Sequence, residues 1–457
     1  MTKNLTEGKE LPLILSFMVP LLCGMLFQQF YNITDTVIVG KFLGKGAMAA
    51  TGATGSVTFL IIGFANGLAS GFAIPVSQRF GARDEAGVRR YAGNAIVIGA
   101  AFSVVFAVAS VLLCRQILTW MKTPDDIFEY AYAYLVVLLG GIPATLFYNL
   151  LSGFIRALGD SRTPVLILAA ASVVNVVVTA ALVICTPTGV AGAAIATLVS
   201  QIISCVLSVI HIVRRVPLLH LSRQDLLPSR PHVSVLCANG IPMGLQYSIT
   251  AIGSVVLQSA VNSLGSDAVA ATTTANKIFG LFASFFDAEG STMATWGGQH
   301  VGAGKIRRIG SGVRLSLIMG CLYSVLCMGI YWFFGEPLAQ LFLDSGETAV
   351  IESARTMMVL VSLFYPLLTA VNVVRNVIQG MGFGQLAMTA GLLELIGRTA
   401  VAFVLVPAFG FVGACFASPA AWLLADGFLL PAFLHCYKTT KAMHARMPPS
   451  SEAENER

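Results

Sequence analysis

The sequence predicts an all-α membrane protein, with twelve transmembrane helices in two pseudo-symmetric six-helix lobes around a central cleft, on three observations. Hydrophobic residues make up 56% of 457 positions and charged residues 11%, with a mean hydropathy of +0.80, where a soluble chain carries about a quarter charged residues. The apolar residues fall into about twelve runs, each long enough for a helix that crosses a hydrocarbon core of ~30 Å. The two halves of the chain repeat one another in order, as set out below.

In order, spans are expected over 12–40, 47–77, 90–114, 128–156, 162–185 and 189–213, then 233–263, 268–299, 310–334, 348–379, 384–406 and 410–437. This gives a first lobe over 1–213, a linker over 214–232 rich in Arg, Pro and His, and a second lobe over 233–437. A polar tail over 438–457 ends in MPPSSEAENER, a composition that cannot support a packed core. The opening MTKNLTEGKE is of mixed charge and its apolar run continues into the body, so no cleavable signal is expected.

The first span organises the rest. Pro20 removes one backbone hydrogen bond and crowds the preceding turn, which leaves a place where the helix can bend. Gln28, Tyr31 and Asn32 precede Asp35 by seven, four and three residues, so all four share one helical face. A charge at membrane depth costs about 2.5 to 3.5 kcal/mol on insertion scales, which makes such an acid a functional hypothesis. Pro20 and Asp35 are therefore read as a hinge and its switch.

The repeat is carried by four matches at nearly constant offset. LGKGAMAAT at 43–51 answers LGSDAVAAT at 264–272, and Gln78, Gly81 and Ala82 answer Gln299, Gly302 and Ala303. Pro143 precedes Gly159 by the same interval as Pro366 precedes Gly382, and GVAGAAIAT at 189–197 answers GFVGACFAS at 410–418. Six helices per unit is an even number, so both units enter from the same side and are related by an axis along the membrane normal. Two lobes with a cleft between them favour alternating-access transport.

Charge distribution sets orientation. Most Lys and Arg lie in loops on one side, including Arg79, Arg83, Arg89, Arg90, Arg214, Arg215, Lys305, Arg307 and Arg308, so the positive-inside rule puts both termini and the linker in the cytoplasm of a cell membrane. The net charge of +6 then needs no nucleic-acid partner. Nine cysteines lie scattered without a C-x-x-C, six histidines form no metal pattern, and no H-E-x-x-H occurs. GAGKI at 302–306 lacks the earlier glycine and the Ser or Thr of a phosphate loop, and the glycine of RALGD at 156–160 is only a cytoplasmic loop glycine. No enzyme and no cofactor is expected.

Several stretches, YNITDTVIVGKFLG, the paired Ala-x-Ala-Ala-Thr segments, VSQRFGARDEAGVRR and WGGQHVGAGKIRR, resemble the multidrug and toxic compound extrusion (MATE) transporters over essentially the whole chain. Within them the chain is similar to the DinF-like bacterial branch, which keeps an acid on the first helix. The resemblance implies a monomeric exporter of organic cations and drugs, driven by inward flow of H⁺ or Na⁺. Carried over residue by residue, its ion site comprises Asp35, Asn175, Thr197 and Tyr134. Where many relatives have a second aspartate four residues after the asparagine, this chain has Thr179. Sodium would find Asp35, Asn175 and Thr197 as donors, but it prefers a cage with more formal charge, so the single acid favours protons. Another branch puts an acid on the seventh helix; PMGLQYSITAIGSVVLQS has none.

Candidate cleft residues are Gln28, Asn32, Asp287, Glu289, Glu394, Met243 and Tyr247. Asp287 and Glu289 are two apart and do not share a helical face, so at most one points at the cleft, and Lys277 is a candidate partner for either. Glu394 and Arg398, four apart, are placed to neutralise one another. The alternative is a flippase for lipid-linked saccharide precursors of the same two-lobe plan, whose anionic cargo wants Arg and Lys. Here Asp35, Asp287, Glu289, Glu394 and Asp426 outnumber Lys277, Arg375 and Arg398, which favours cationic cargo. The expected cycle has Asp35 ionised with a straight first helix in the outward-open state. Protonation then lets the helix bend at Pro20 and expel cargo.

Overall fold

The computed structural model describes residues 4–121, 123–343 and 346–445, apart from the side chain of Lys45. Residues 446–457, most of the tail for which no packed structure is expected, lie outside the described residues. The first lobe comprises α1 (Glu10–Gly44), α2 (Gly46–Gly81), α3 (Glu85–Trp120), a two-part α4, α5 (Arg162–Cys185) and α6 (Val190–Arg215). The second comprises α7 (Arg230–Asn262), α8 (Ser266–Gly302), α9 (Ile306–Gln340), a two-part α10, α11 (Gly384–Cys415) and α12 (Ala417–Ala445). Ser266–Gly302 buries several polar residues, among them Thr272, Thr274, Ser284, Glu289 and Gln299.

Two spans expected as single helices are broken. The parts of α4, Asp125–Gly140 and Ile142–Ala157, meet at 45°, and those of α10, Thr348–Ser362 and Tyr365–Gly380, at 53°. Pro143 and Pro366 stand in the first turn of each second part, where a missing N–H costs nothing within that part but leaves no bond to donate back to the preceding turn. In α11 the segment Val401–Leu405 is π-helical, and the chain turns at Gly410, the expected division between the last two spans, before a further helical turn to Cys415. The last helix runs to Ala445, beyond the expected limit of 437.

The repeat is written into the backbone. Gly44 and Gly265, Gly159 and Gly382, and Gly189 and Gly410 all have positive φ at matched turns, and Arg83 takes the same left-handed conformation as its counterpart Gly304. Gly189 and Gly410 agree closely, at φ 57° with ψ −136° and −133°, in a region that a Cβ makes costly.

Each lobe has its own apolar core, and α1 belongs to both. Ile14, Phe17, Met18 and Leu21 pack into the second lobe's core with Ile278 and Trp296, whereas Val39 packs with Val183 and Val190 of α5 and α6. Pro20 therefore lies where α1 leaves one lobe for the other. A Cβ on Gly24, one turn later, would already meet Val165 of α5 at 2.9 Å. Backbone dihedrals stay helical through Pro20, the only break in the α1–α2 pair being Gly44.

At the end where Leu5 and Thr6 meet Gln299 and Lys305, and His444 meets Gly304, the lobes are sealed. Gly81 and Gly302 cross so closely that a Cβ on either would run into the carbonyl of Gln299 or Gln78. Gln78 Nε2 donates to the Gly380 carbonyl at 2.9 Å and Gln299 Nε2 to the Ala157 carbonyl at 2.9 Å. Gln78 and Gln299 are repeat partners, so this seal is itself two-fold.

Candidate functional site

Two polar regions lie within the apolar helices. The first is built on Asp35 of α1. With its amide nitrogen turned toward the acid, Asn175 of α5 donates to both carboxylate oxygens, at 3.1 and 3.2 Å. Thr179, one turn further along α5, is fully buried beside the same carboxyl, and its hydroxyl has no other partner. Tyr31 and Tyr134 stand within electrostatic reach of Asp35. Thr197 is different: its hydroxyl donates to the Ala193 carbonyl on its own helix at 3.1 Å and makes no bond to Asp35. The donor set is thus one carboxylate among neutral groups, and an amide N–H already faces both of its oxygens. Among the described residues no cluster of three or more His, Cys, Asp or Glu could hold a metal ion.

The second region is a cavity of about 770 Å³ between the lobes, running from the seal toward the opposite end. Of the residues expected there, Gln28, Asn32, Met243, Tyr247, Asp287 and Glu394 line it. Glu289 does not. It lies on the far side of α8, fully buried, its oxygens unpartnered and one of them close to Gly320 of α9; the two-residue step from Asp287 carries it around the helix. Asp426 is also buried and unpartnered away from the cavity wall. Lys277 lies over the Phe342 ring at 5.6 Å, so it is not the partner expected for Asp287 or Glu289.

Charges on the wall differ from those expected. Arg375 of α10 donates to Glu394 Oε1 at 2.6 Å, and Arg398 of α11 reaches Glu394 Oε2 at 3.5 Å while bonding the Thr250 carbonyl at 3.3 Å. The i, i+4 pair is real, but the shorter contact comes from a different helix. Arg156, the last residue of the expected span 128–156 but not among the expected cleft residues, sits in the last turn of α4 and lines the same cavity. It shares a helical face with Asn149 and Gly153, and that phase is the signal that would have found it. Three arginines and two carboxylates, Asp287 and Glu394, therefore line the cavity. The excess of acids holds only when Asp35, Glu289 and Asp426, which do not line it, are counted.

Two lobes of apolar helices around a polar cavity, with an ionisable site inside one lobe, define a multi-pass membrane transporter. The chain belongs to the MatE family, whose model matches residues 20–181 and 242–404, one segment in each lobe. It is 27% identical over 83% of its length to the probable multidrug resistance protein YpnP of Bacillus subtilis, covering 84% of that protein. It is 22% identical over 74% of its length to a protein of Shewanella oneidensis named FAD transporter, covering 75% of that protein. Among solved structures, an outward-facing MATE transporter matches with a TM-score of 0.87 at 22% identity, covering 94% of this chain and 96% of that one. A MOP superfamily transporter from Pyrococcus furiosus, reported for the reverse polarity of its binding pocket, matches with a TM-score of 0.88 at 21% identity, covering 97% and 98%.

Proposed function

We propose that this chain is an alternating-access antiporter of the cell membrane that exports small organic molecules as protons flow inward through Asp35. The observation that carries this reading is the lone carboxylate of α1 hydrogen-bonded through both oxygens to Asn175. Neutral groups surround it, so a proton can be gained or lost without a second acid to accommodate. Sodium needs several hard oxygens, and a single carboxylate beside one amide and one hydroxyl supplies few with formal charge.

Protonation removes the charge that holds the Asn175 amide, which loosens α1 from α5. Pro20, at the point where α1 passes between lobes, is where the freed segment bends. The helical dihedrals through Pro20, together with the seal where Gly81 crosses Gly302, support assigning this state to the straight-helix, outward-facing stage. The Arg and Lys loops at that sealed end support a cytoplasmic orientation for it. The chain works as a monomer because each protomer carries both lobes and the cavity between them. Relatives named for multidrug resistance and for FAD support a small-molecule cargo.

The energetics fit coupling to protons. A cationic cargo leaving against the membrane potential costs about 2.3 kcal/mol per charge per 100 mV, which one inward proton offsets, whereas an anionic cargo leaves with the potential and needs the proton only for its concentration gradient. In vesicles with separately imposed proton and sodium gradients, wild-type efflux is expected to follow the proton gradient alone, and Asp35→Asn to abolish it. Full gradient-driven efflux by Asp35→Asn would end this reading.

A further inference from the structure

The cavity wall carries more guanidinium than carboxylate, and the excess is local. Glu394 is shared between Arg375 and Arg398, so one acid serves two bases. Arg156 has no ion pair or hydrogen bond among the described residues, yet it lines the cavity. Tyr247 lies within electrostatic reach of Arg156, Arg375 and Asp287, and Arg156 of the first lobe and Arg375 of the second line the same cavity. Asp287 stands beside Arg375 and is the single carboxylate left to meet a cation, with that guanidinium opposing one. Phe279, Phe286 and Trp422 supply apolar and ring surface to the same cavity.

We propose that this cavity recognises organic anions: a carboxylate or phosphate group held by Arg156, on an apolar, ring-bearing carrier that packs against the aromatic wall. The inference rests on the reading of the chain as a transporter whose cargo occupies the central cavity. A guanidinium presents several N–H groups in a planar fork that matches two oxygens of a carboxylate or phosphate at once. An unpaired charge at membrane depth is tolerated while water fills the cavity and becomes costly when the lobes close over it. A bound anion neutralises Arg156 at that moment, so cargo of this sign favours closure, whereas an organic cation would leave Arg156 unpaired and add repulsion from Arg375.

Binding to the full-length protein in detergent tests this without any gradient, so failure of the coupling reading and failure of this one are separable. The probes are carboxyfluorescein and ethidium, followed by fluorescence anisotropy. The wild type is expected to bind carboxyfluorescein more tightly than ethidium. Arg156→Gln should weaken carboxyfluorescein by about ten-fold or more, the scale of a lost charge-assisted hydrogen bond, without weakening ethidium, and Arg156→Lys should restore most of the loss. Displacement by naphthyl phosphate assigns a soluble anion, and displacement by phosphatidic acid in mixed micelles assigns a lipid headgroup; either supports anion recognition. Tighter binding of ethidium, unchanged carboxyfluorescein binding in Arg156→Gln, or equal loss of both probes in that variant would overturn it.

Discussion

Asn175 and Thr179 stand one helical turn apart on α5, so the carboxyl of Asp35 meets two neutral groups on one neighbouring face. Thr179 puts a hydroxyl at that face, where a second carboxylate would complete a cation cage. A unit charge added within about 4–8 Å is worth on the order of 2–4 kcal/mol at an effective permittivity near 20. Thr179→Asp is therefore expected to make a sodium gradient drive efflux, with Na⁺ affinity raised by about ten-fold or more. Vesicle transport under an imposed sodium gradient checks it, and indifference to sodium in that variant would show that Thr179 does not set ion choice. Asp35 was legible in the sequence because a lone acid in an apolar run is conspicuous. Arg156 was not, because it closes the expected 128–156 span three residues before the turn glycine Gly159, and the direction it faces emerges only from the helix phase set by Asn149. Glu289 looked like a cleft residue for the opposite reason: composition announces an acid but not the direction it faces.

At the scale of elements, the connector between α6 and α7 is tied down rather than free. Asn94 of α3 donates to the carbonyls of Asp225 and Leu227 at 3.2 and 3.3 Å and accepts from the Ser229 amide at 2.9 Å. Burial of Asp225 would raise its pKa, but the hydroxyl and amide of Ser222, with Arg89 and Arg90 nearby, hold it below the ordinary carboxylate range. A depressed folded-state pKa stabilises at pH above the unfolded value, and that contribution is lost as pH falls through the folded one. Amide exchange over residues 218–229, corrected for intrinsic rates, should be slow at pH 7 and lose its protection as pH drops below the carboxylate range. Asp225→Asn should raise the pH 7 rate by about five-fold, the scale of one net hydrogen bond. Unchanged exchange would show the connector held by Asn94 alone. Composition could not reveal this tether, since Asn94 sits in an apolar helix and its partners are backbone atoms. The breaks in α4 and α10 were nearer to hand, because Pro143 and Pro366 stand at the same place in the repeat, yet hydropathy runs straight across both.

For the whole molecule, the two-lobe plan was legible because a duplicated pattern of turn glycines survives where side chains have diverged. How the lobes meet was not, because the seal is built from backbone carbonyls and from glycines lacking a Cβ. That seal bears on transport directly. Alternating access requires Gly81 to part from Gly302, and the glutamines that bridge to α4 and α10 to release, so a bond across the interface should stop the cycle. Ser77 of α2 faces α8, its hydroxyl 3.3 Å from the Thr295 carbonyl, and a Cβ on Gly298 would stand 3.0 Å from its own, close to the 3.5–4.5 Å that disulfides favour. In a chain whose nine native cysteines are replaced, S77C with G298C should form a disulfide under mild oxidation, abolish gradient-driven efflux and recover it on reduction. Either single variant should remain active, since each leaves the interface free to open. Undiminished efflux by the oxidised, fully cross-linked protein would mean that cargo passes without these two helices separating, and the rocking of one lobe against the other would have to be abandoned.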